Sequence, residues 1–298
     1  MSSCSTCASK SGCSKDIKCD FIKPKYGRIR HVVGVISGKG GVGKSSVTGI
    51  LAVQLRKLGY RVGVLDGDMT GPSIPRFFGI NEERTGYAPT DVKDVFKFIP
   101  VETSLGIKTI SMNFMIEEEE PLLWRGPVLG NALTQLFQDT DWGNLDYLLI
   151  DMPPGTGDIA LTIMQQFPVD YLVVVSTPQD MVSMIVKKVV NMAEKLEVPI
   201  KGVVQNMSYI RCGSCGEKMN VFSRNTAESQ AEKMGLPLLA ELPIDPDFAS
   251  YLEEGMAERY AATNKDYDIL MEAFRNDENE IAKRVAEAKK KSIPFLDS

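Results

Sequence analysis

Residues 38–45, with the sequence GKGGVGKS, fit the pattern GxxxxGK[ST] and constrain this chain more than any other stretch. The apolar, β-branched run at 31–37 predicts a buried strand before them, and apolar residues recur at helical spacing after them, through residue 58. A glycine-rich loop between a strand and a helix points backbone N–H groups at phosphate oxygens, and the helix N-terminus adds partial positive charge. The stretch therefore predicts a nucleotide phosphate site.

The loop residues and the one after them are the first candidates for nucleotide contacts. The expected set is Gly38, Lys39, Gly40, Gly41, Val42, Gly43, Lys44, Ser45 and Ser46. The ammonium of Lys44 suits the β- and γ-phosphates, and the hydroxyl of Ser45 suits Mg²⁺. Lys39 stands out because the general pattern requires no lysine at its second position.

Strand-like and helix-like patterns alternate from residue 31 onward. The predicted strands are 31–37, 61–66, 107–112, 145–151, 170–176 and 200–206. The predicted helices are about 44–58, 127–138, 158–166, 180–196, 225–234, 246–254 and 266–290. Continuous apolar strands that alternate with helices predict an α/β fold: a doubly wound, mostly parallel sheet with helices on both faces. Its ligands should bind beyond the carboxyl ends of the strands.

Polar residues follow three of these predicted strands. Asp66 and Asp68 precede a Gly/Pro-rich loop that suits a mobile switch, and Asp151 ends an apolar run in the Walker B manner. We assign Mg²⁺ to Asp66, Asp151 and Ser45, and orientation of the attacking water to Asp68, which lies further into its loop. Asn206 ends the last strand, where its amide can pair with a nucleobase edge.

A second candidate site is the CxxC pair formed by Cys212 and Cys215. Two thiolates so close together suit one metal centre, and the flanking glycines free N–H groups to bond the sulfurs. They make only half of a tetrahedral site, which a homodimer completes if each subunit contributes two thiolates at the two-fold axis. An iron–sulfur cluster and half of a zinc knuckle both fit the spacing.

The N-terminal residues 1–27 are predicted to be a separate metal-binding extension, because they have few apolar side chains. Four cysteines suit an iron–sulfur cluster or four-thiolate zinc, whose coordination would supply the folding energy: Cys4, Cys7, Cys13 and Cys19. The remaining chain divides into an ATPase domain at 28–262 and a C-terminal helix and tail at 263–298.

Composition restricts the partners and the compartment that we expect. The net charge of −5 offers no basic field for nucleic acid, and no apolar run approaches the ~20 residues of a membrane span. The N-terminus is polar and rich in cysteine, unlike a secretory signal. We therefore expect a cytoplasmic protein that binds neither membrane nor nucleic acid, and whose cysteines are metal ligands or redox thiols.

Four motifs together resemble the Mrp/ApbC-type P-loop ATPases, which belong to the MinD, ParA and nitrogenase iron protein superfamily with its deviant Walker A loop. The motifs are GKGGVGKSS at 38–46, LDGDMTGPSIP at 65–75, DMPPGTGD at 151–158 and CGSC at 212–215. The resemblance covers about residues 28–260, and a GTGD motif followed by a downstream CxxC is specific to the group.

The resemblance implies a homodimer that binds a 4Fe–4S cluster between its two CxxC pairs, hydrolyses ATP slowly and passes the cluster to apo-proteins. It implies that Lys39 reaches across the dimer to the partner's nucleotide and joins Lys44 and Asp68 as a catalytic residue. Cys4, Cys7 and Cys13 match part of the N-terminal cluster motif of the eukaryotic scaffold branch. In that branch the remaining cysteine lies upstream, whereas Cys19 lies downstream.

Three other hypotheses belong to different classes. A positioning ATPase like MinD or ParA, with a structural zinc site, would need a membrane helix or a basic DNA-binding face. An electron-transfer ATPase like the nitrogenase iron protein would carry single, widely separated cluster cysteines. An ATPase stapled by zinc alone would show zinc, not iron, on metal analysis.

Overall fold

The computed structural model describes residues 21–275, apart from Thr70, Pro72, 116–125 and Arg224. The cysteines Cys4, Cys7, Cys13 and Cys19 lie outside the described residues, as does the part of the predicted C-terminal helix beyond residue 275. The strands are β1 (Tyr26–Ser37), β2 (Val62–Asp66), β3 (Gly86–Pro89), β4 (Phe96–Ile99), β5 (Val101–Glu102), β6 (Lys108–Ile110), β7 (Asp141–Asp151), β8 (Tyr171–Ser176), β9 (Ile200–Arg211), β10 (Lys218–Asn220) and β11 (Leu238–Pro243). The helices are α1 (Lys44–Lys57), α2 (Ile74–Phe78), α3 (Gly126–Asp139), α4 (Asp158–Gln166), α5 (Asp180–Lys195), α6 (Ala227–Met234), α7 (Pro246–Glu253), α8 (Ala257–Thr263) and α9 (Ile269–Arg275).

Nine of the strands in the described residues form one sheet, in the order β10-β9-β8-β1-β7-β2-β6-β5, with β11 also paired to β9. Pairing is parallel throughout the centre, and the antiparallel pairs β5–β6 and β9–β10 lie at its ends. The predicted doubly wound α/β fold is confirmed. Because the central strands are parallel, their carboxyl ends meet at one edge of the sheet, as predicted for the ligand site.

Two apolar layers cover the two faces of the sheet, since successive side chains of a strand point to opposite sides. In β1, Val32 and Ile36 pack with the layer that contains α3, α4, α5 and α6. Val33 and Val35 pack with the layer that contains α1, α2, α8 and α9. The second layer extends to Phe274, so the described residues beyond 262 pack against the same sheet as α1.

All six predicted strands are present, but β9 continues to Arg211, five residues past its predicted end at 206. The sequence patterns did not predict seven short elements: β3, β4, β5, β10, β11, α2 and α8. The prediction that the last helix begins at about residue 266 was wrong for its first turn, because α9 begins at Ile269. A 3₁₀ turn at Lys265–Tyr267 precedes α9, because the Asn264 side chain accepts a hydrogen bond from the Asp266 N–H.

Candidate nucleotide and thiolate sites

The glycine-rich loop joins β1 to α1 and lines a cavity of about 240 Å³ at the carboxyl edge of the sheet. All the loop residues predicted to bind nucleotide line this cavity except Gly38 and Val42. A Cβ added to Gly40 or Gly41 would meet nothing within 4 Å, so both glycines border open space. The cavity is smaller than the ~300 Å³ at the lower end of typical ligand pockets, which suits the phosphates of a nucleotide more than its base.

The loop backbone and the first turn of α1 are arranged to bind an anion. Gly41 and Gly43 both have φ of 78°, a left-handed conformation that glycine adopts without strain. Gly43 is the N-cap residue of α1, and no side chain caps this end of the helix. The N–H groups of the first turn and the positive end of the helix dipole are therefore available to phosphate oxygens. The residues of this loop thus fit a nucleotide phosphate.

Asp151 is the centre of the polar contacts beneath the loop. Its carboxylate lies 2.8 Å from the Nζ of Lys44 and accepts hydrogen bonds from the hydroxyls of Ser45, at 2.6 Å, and Thr48, at 2.9 Å. Asp151 is 0% exposed and Lys44 6% exposed, so the pair is shielded from water. The Ser45 hydroxyl and the Asp151 carboxylate form the hard oxygen donor set that Mg²⁺ prefers. No sequence motif indicated the role of Thr48.

Asp66 and Asp68 lie at different depths in the site. Asp66 is buried beside Asp151 in the β2–β7 register and accepts a hydrogen bond from the Ser111 hydroxyl at 3.1 Å. Burial, and then the charge of Asp151, raise the pKa of Asp66 to about 8. Asp68 lines the cavity, 3.6 Å from the Nζ of Lys44. The predicted roles of Asp68 with the attacking water and of Asp66 with Mg²⁺ stay predictions.

Asn206 holds the loop from below. Its Nδ2 donates a hydrogen bond to the Val42 carbonyl oxygen at 3.0 Å. It also lies so close to Gly43 that an added Cβ there would be 2.3 Å from Nδ2, which excludes larger residues at Gly43. The next residue, Met207, has a φ of 53°, a conformation that is unusual for a side chain of this size. The base contact predicted for Asn206 stays a prediction.

The Lys39 side chain contacts the loop between β8 and α5. Its Nζ donates a hydrogen bond to Oε1 of Gln179 at 2.8 Å. Gln179 follows β8 and precedes α5, and it belongs to no recognised sequence motif. The only signal available was its place just after a predicted strand, at the same edge of the sheet as the loop.

The CxxC pair lies at the turn between β9 and β10, outside the sheet core. The Cys212 N–H donates to the Glu217 carbonyl at 2.9 Å, and the Gly216 N–H donates to the Cys212 carbonyl at 2.8 Å, which closes a tight turn. Cys212 is half-buried and Cys215 is exposed, and both are free thiols. Hydrogen bonds from the backbone N–H of Ser214, and then of Cys215, lower the pKa of the Cys212 thiol. A lowered pKa favours the thiolate, which is the form that binds metals.

Cys212 and Cys215 are the cysteines that lie at the hairpin in the described residues. Among the residues that the structure describes, no group of three or more His, Cys, Asp or Glu side chains is arranged to hold a metal ion. Lys218 contacts the base of the hairpin: its Nζ lies 4.1 Å from the centre of the Tyr209 ring and 3.0 Å from the Glu241 carboxylate. The hairpin tip thus presents the two thiols of Cys212 and Cys215.

A model of the family described as "ParA: NUBPL iron-transfer P-loop NTPase" matches residues 28–282. The chain belongs to this family. The predicted resemblance is therefore confirmed, and the phosphate loop is that of a nucleotide hydrolase family. In the described part of this NUBPL-type NTPase, no helix combines the length and apolarity needed to cross a membrane.

Relatives of this NTPase carry related names. The iron-sulfur cluster carrier protein of Clostridium perfringens is 58% identical over 284 residues, which cover 92% of this chain and 100% of that protein. The iron-sulfur cluster transfer protein NUBPL of Dictyostelium discoideum is 38% identical over 262 residues, or 84% of this chain and 80% of that protein.

Solved structures support the same architecture. The nucleotide-binding protein of Archaeoglobus fulgidus in complex with ADP is 40% identical, with a TM-score of 0.68 over 80% of this chain and 90% of that one. The cell division ATPase MinD of Pyrococcus furiosus has a TM-score of 0.54 at 22% identity, covering 83% of this chain and 98% of that one. The second likeness shows the fold alone.

We predict that Asp66→Asn stabilises the nucleotide-free NTPase, and more strongly at pH 8 than at pH 5. In the unfolded chain the pKa of an aspartate is ~3.9, whereas in the folded protein the pKa of Asp66 is about 8. Between these values the wild type loses folding stability as the pH rises, and the asparagine variant does not. The gain in unfolding free energy should be larger at pH 8 by on the order of 1–3 kcal/mol in urea titrations with EDTA. Asp68→Asn is the control, and an equal gain at both pH values contradicts the assignment.

Asn206→Ala should weaken nucleotide binding because it removes the bond that holds Val42. One hydrogen bond is worth ~0.5–1.5 kcal/mol, so we expect a loss of about two- to ten-fold for ATP and for GTP alike in titration calorimetry. A base contact would add a further loss for ATP alone. Asn191→Ala, an exposed change on α5, is the matched control. Unchanged affinity for both nucleotides would contradict the structural role.

Proposed function

We propose that this protein is an ATP-dependent iron–sulfur cluster carrier, which binds a 4Fe–4S cluster between two copies of the chain and transfers it to apo-proteins. The observation that carries the proposal is the CxxC hairpin: two free thiols at an exposed tip, without a third metal ligand grouped with them in the described residues. The names of the relatives in Clostridium perfringens and Dictyostelium discoideum support iron–sulfur as the cargo.

A second copy of the chain completes the thiolate site most simply. Two hairpins that meet at a two-fold axis bring two Cys212 and two Cys215 sulfurs together, which is the four-thiolate set of a 4Fe–4S cluster. Three large apolar side chains follow the CxxC turn and are nearly half exposed: Met219, Val221 and Phe222. Contact between the copies would cover these side chains and keep water from the cluster.

The cluster is exchangeable cargo because the tip is open. Cys215 is exposed in the single chain, and in this proposal the cluster edge next to it stays accessible to an acceptor's thiolates in the dimer. The hydrogen bonds that lower the pKa of Cys212 also make it a weaker base, and therefore a better leaving ligand than an ordinary thiolate. The acceptors are apo forms of iron–sulfur proteins, and the expected compartment is the cytoplasm.

In this proposal the ATP site works through residues on the carboxyl edge of the sheet. Ser45 and Asp151, with Asp66 behind them, would hold Mg²⁺, which neutralises phosphate charge when it is bound. Lys44 binds the β- and γ-phosphate oxygens, and Asp68 orients the water that attacks the γ-phosphorus and releases ADP. Lys39 reaches the nucleotide of the partner subunit, so that hydrolysis requires the dimer.

Strand β9 provides the coupling between ATP and the cluster. Asn206 contacts the phosphate loop through Val42, and Cys212 follows six residues later at the end of the same strand. Six fully extended residues would span about 20 Å, and the left-handed conformation of Met207 makes the actual separation shorter. A change in the loop on ATP binding would alter the position of β9, and thus the geometry of the paired hairpins. Two ligands that favour different arrangements of one element are thermodynamically coupled.

The test is anaerobic reconstitution with iron and sulfide, in a variant whose Cys4, Cys7, Cys13 and Cys19 are changed to serine. This background removes any N-terminal contribution to the metal content. We expect about four iron atoms per two chains and the visible absorbance of a 4Fe–4S cluster. Cys212→Ser and Cys215→Ser should each abolish this binding. Ser214→Ala, which keeps both thiols and the backbone N–H, should retain it.

The loaded protein should then activate an apo form of a 4Fe–4S enzyme, such as aconitase. Cluster transfer should need Cys212 and Cys215 in the donor and should respond to Mg²⁺-ATP. Zinc in place of iron, or iron retained in both cysteine variants, would contradict the carrier function. The cysteines would then form a structural metal site in an ATPase.

A further inference from the structure

The contact between Lys39 and Gln179 joins two loops of the same chain. Lys39 lies in the phosphate loop after β1, and Gln179 lies in the loop between β8 and α5. The Nζ–Oε1 distance is 2.8 Å, the length of a strong hydrogen bond from an ammonium group. The contact is exposed, so it can exchange for another acceptor without leaving a buried charge unpaired.

The Gln179 loop is fixed in position by buried amides. Gln230 on α6 donates from Nε2 to the Pro178 carbonyl oxygen at 3.0 Å, and accepts from Nε2 of Gln205 at 2.6 Å. Gln205 and Gln230 are each 1% exposed, so these bonds are not in competition with water. The backbone beside Gln179 is therefore tied to β9, and its side chain reaches Lys39 from a fixed base.

The same strand also fixes the other loop. Gln205 bonds Gln230, which holds the loop that contains Gln179. The next residue of β9, Asn206, bonds the carbonyl of Val42, which lies three residues after Lys39 in the phosphate loop. Two consecutive residues of β9 thus set the positions of the two backbones whose side chains meet. The fold therefore places the two side chains within hydrogen-bonding distance of each other.

The chemistry of the acceptor determines how firmly Lys39 is held. An amide oxygen is neutral, so it holds an ammonium group less strongly than a carboxylate does, and phosphate oxygens can displace it. We propose that Gln179 is a positioning residue that docks Lys39 within its own chain until the partner's nucleotide takes the ammonium. This rests on the proposed role of Lys39 across the dimer. This Lys39–Gln179 contact, called the dock below, competes with the contact between Lys39 and the partner's nucleotide. A stronger dock therefore weakens dimerisation.

Two substitutions of similar size change the dock in opposite directions. Gln179→Glu supplies a carboxylate for Lys39, and Gln179→Met keeps the length of the side chain but removes the acceptor. The assay is sedimentation velocity of the full-length, cluster-free protein with Mg²⁺ and a non-hydrolysable ATP analogue. We expect Gln179→Glu to weaken dimerisation about two- to five-fold, the scale of an exposed ion pair, and salt to relieve the effect. We expect Gln179→Met to strengthen dimerisation.

A double-mutant cycle with Lys39→Ala separates the dock from other effects of residue 179. A new carboxylate at residue 179 would also repel phosphate, but this repulsion remains when Lys39 is absent and cancels in the cycle. The dock requires that the opposite effects of glutamate and methionine disappear in the Lys39→Ala background. Effects of the same size in both backgrounds would overturn it.

The cycle also distinguishes failure of the dock from failure of the proposed function. If Lys39→Ala leaves dimerisation unchanged, the role of Lys39 across the dimer fails, and the dock fails with it. If Lys39→Ala weakens dimerisation but neither Gln179 variant alters it, the dock alone is overturned. Cluster binding at Cys212 and Cys215 is measured by iron content and does not depend on either result.

Discussion

The buried carboxylate of Asp151 is the constraint on which the nucleotide site depends. It ends the central strand β7, and three residues at the start of α1 bind it: Lys44, Ser45 and Thr48. A buried carboxylate is costly unless its oxygens are paired, so these contacts fix the first turn of α1 against the sheet. The loop that precedes α1 can therefore adopt only a narrow range of positions, and its N–H groups stay directed at the cavity.

The second constraint is the length of β9. A strand that ended with its neighbours would leave the cysteines in an unrelated loop, whereas β9 continues to Arg211 and delivers Cys212 directly to a hairpin. The same strand contacts the phosphate loop through Asn206 and the Gln179 loop through Gln205. The contact of Asn206 with the phosphate loop and the CxxC turn thus share one strand, along which the proposed coupling would act.

Sequence patterns predicted the parts of the fold that depend on periodicity and on chemistry with a fixed spacing. The glycine loop, the aspartate at the end of β7 and the CxxC pair were recognisable because each function restricts residue type at each position. The Asn206–Val42 and Lys39–Gln179 contacts were not predictable, because each joins residues more than 130 positions apart and involves ordinary amides. The 3₁₀ turn before α9 was missed because the Asn264 cap and the bonds of Tyr260 and Tyr267 to Asp245 override a continuous helical pattern.

The central claim is that one cluster is held between two chains, and the mass of the loaded particle tests it directly. Native mass spectrometry under anaerobic conditions, on the variant without the four N-terminal cysteines, reports the number of chains and clusters in one particle. The account predicts a particle of two chains and one 4Fe–4S cluster, and single chains without metal in the Cys212→Ser form. A single chain with its own cluster, or two chains with one metal ion each, would contradict it.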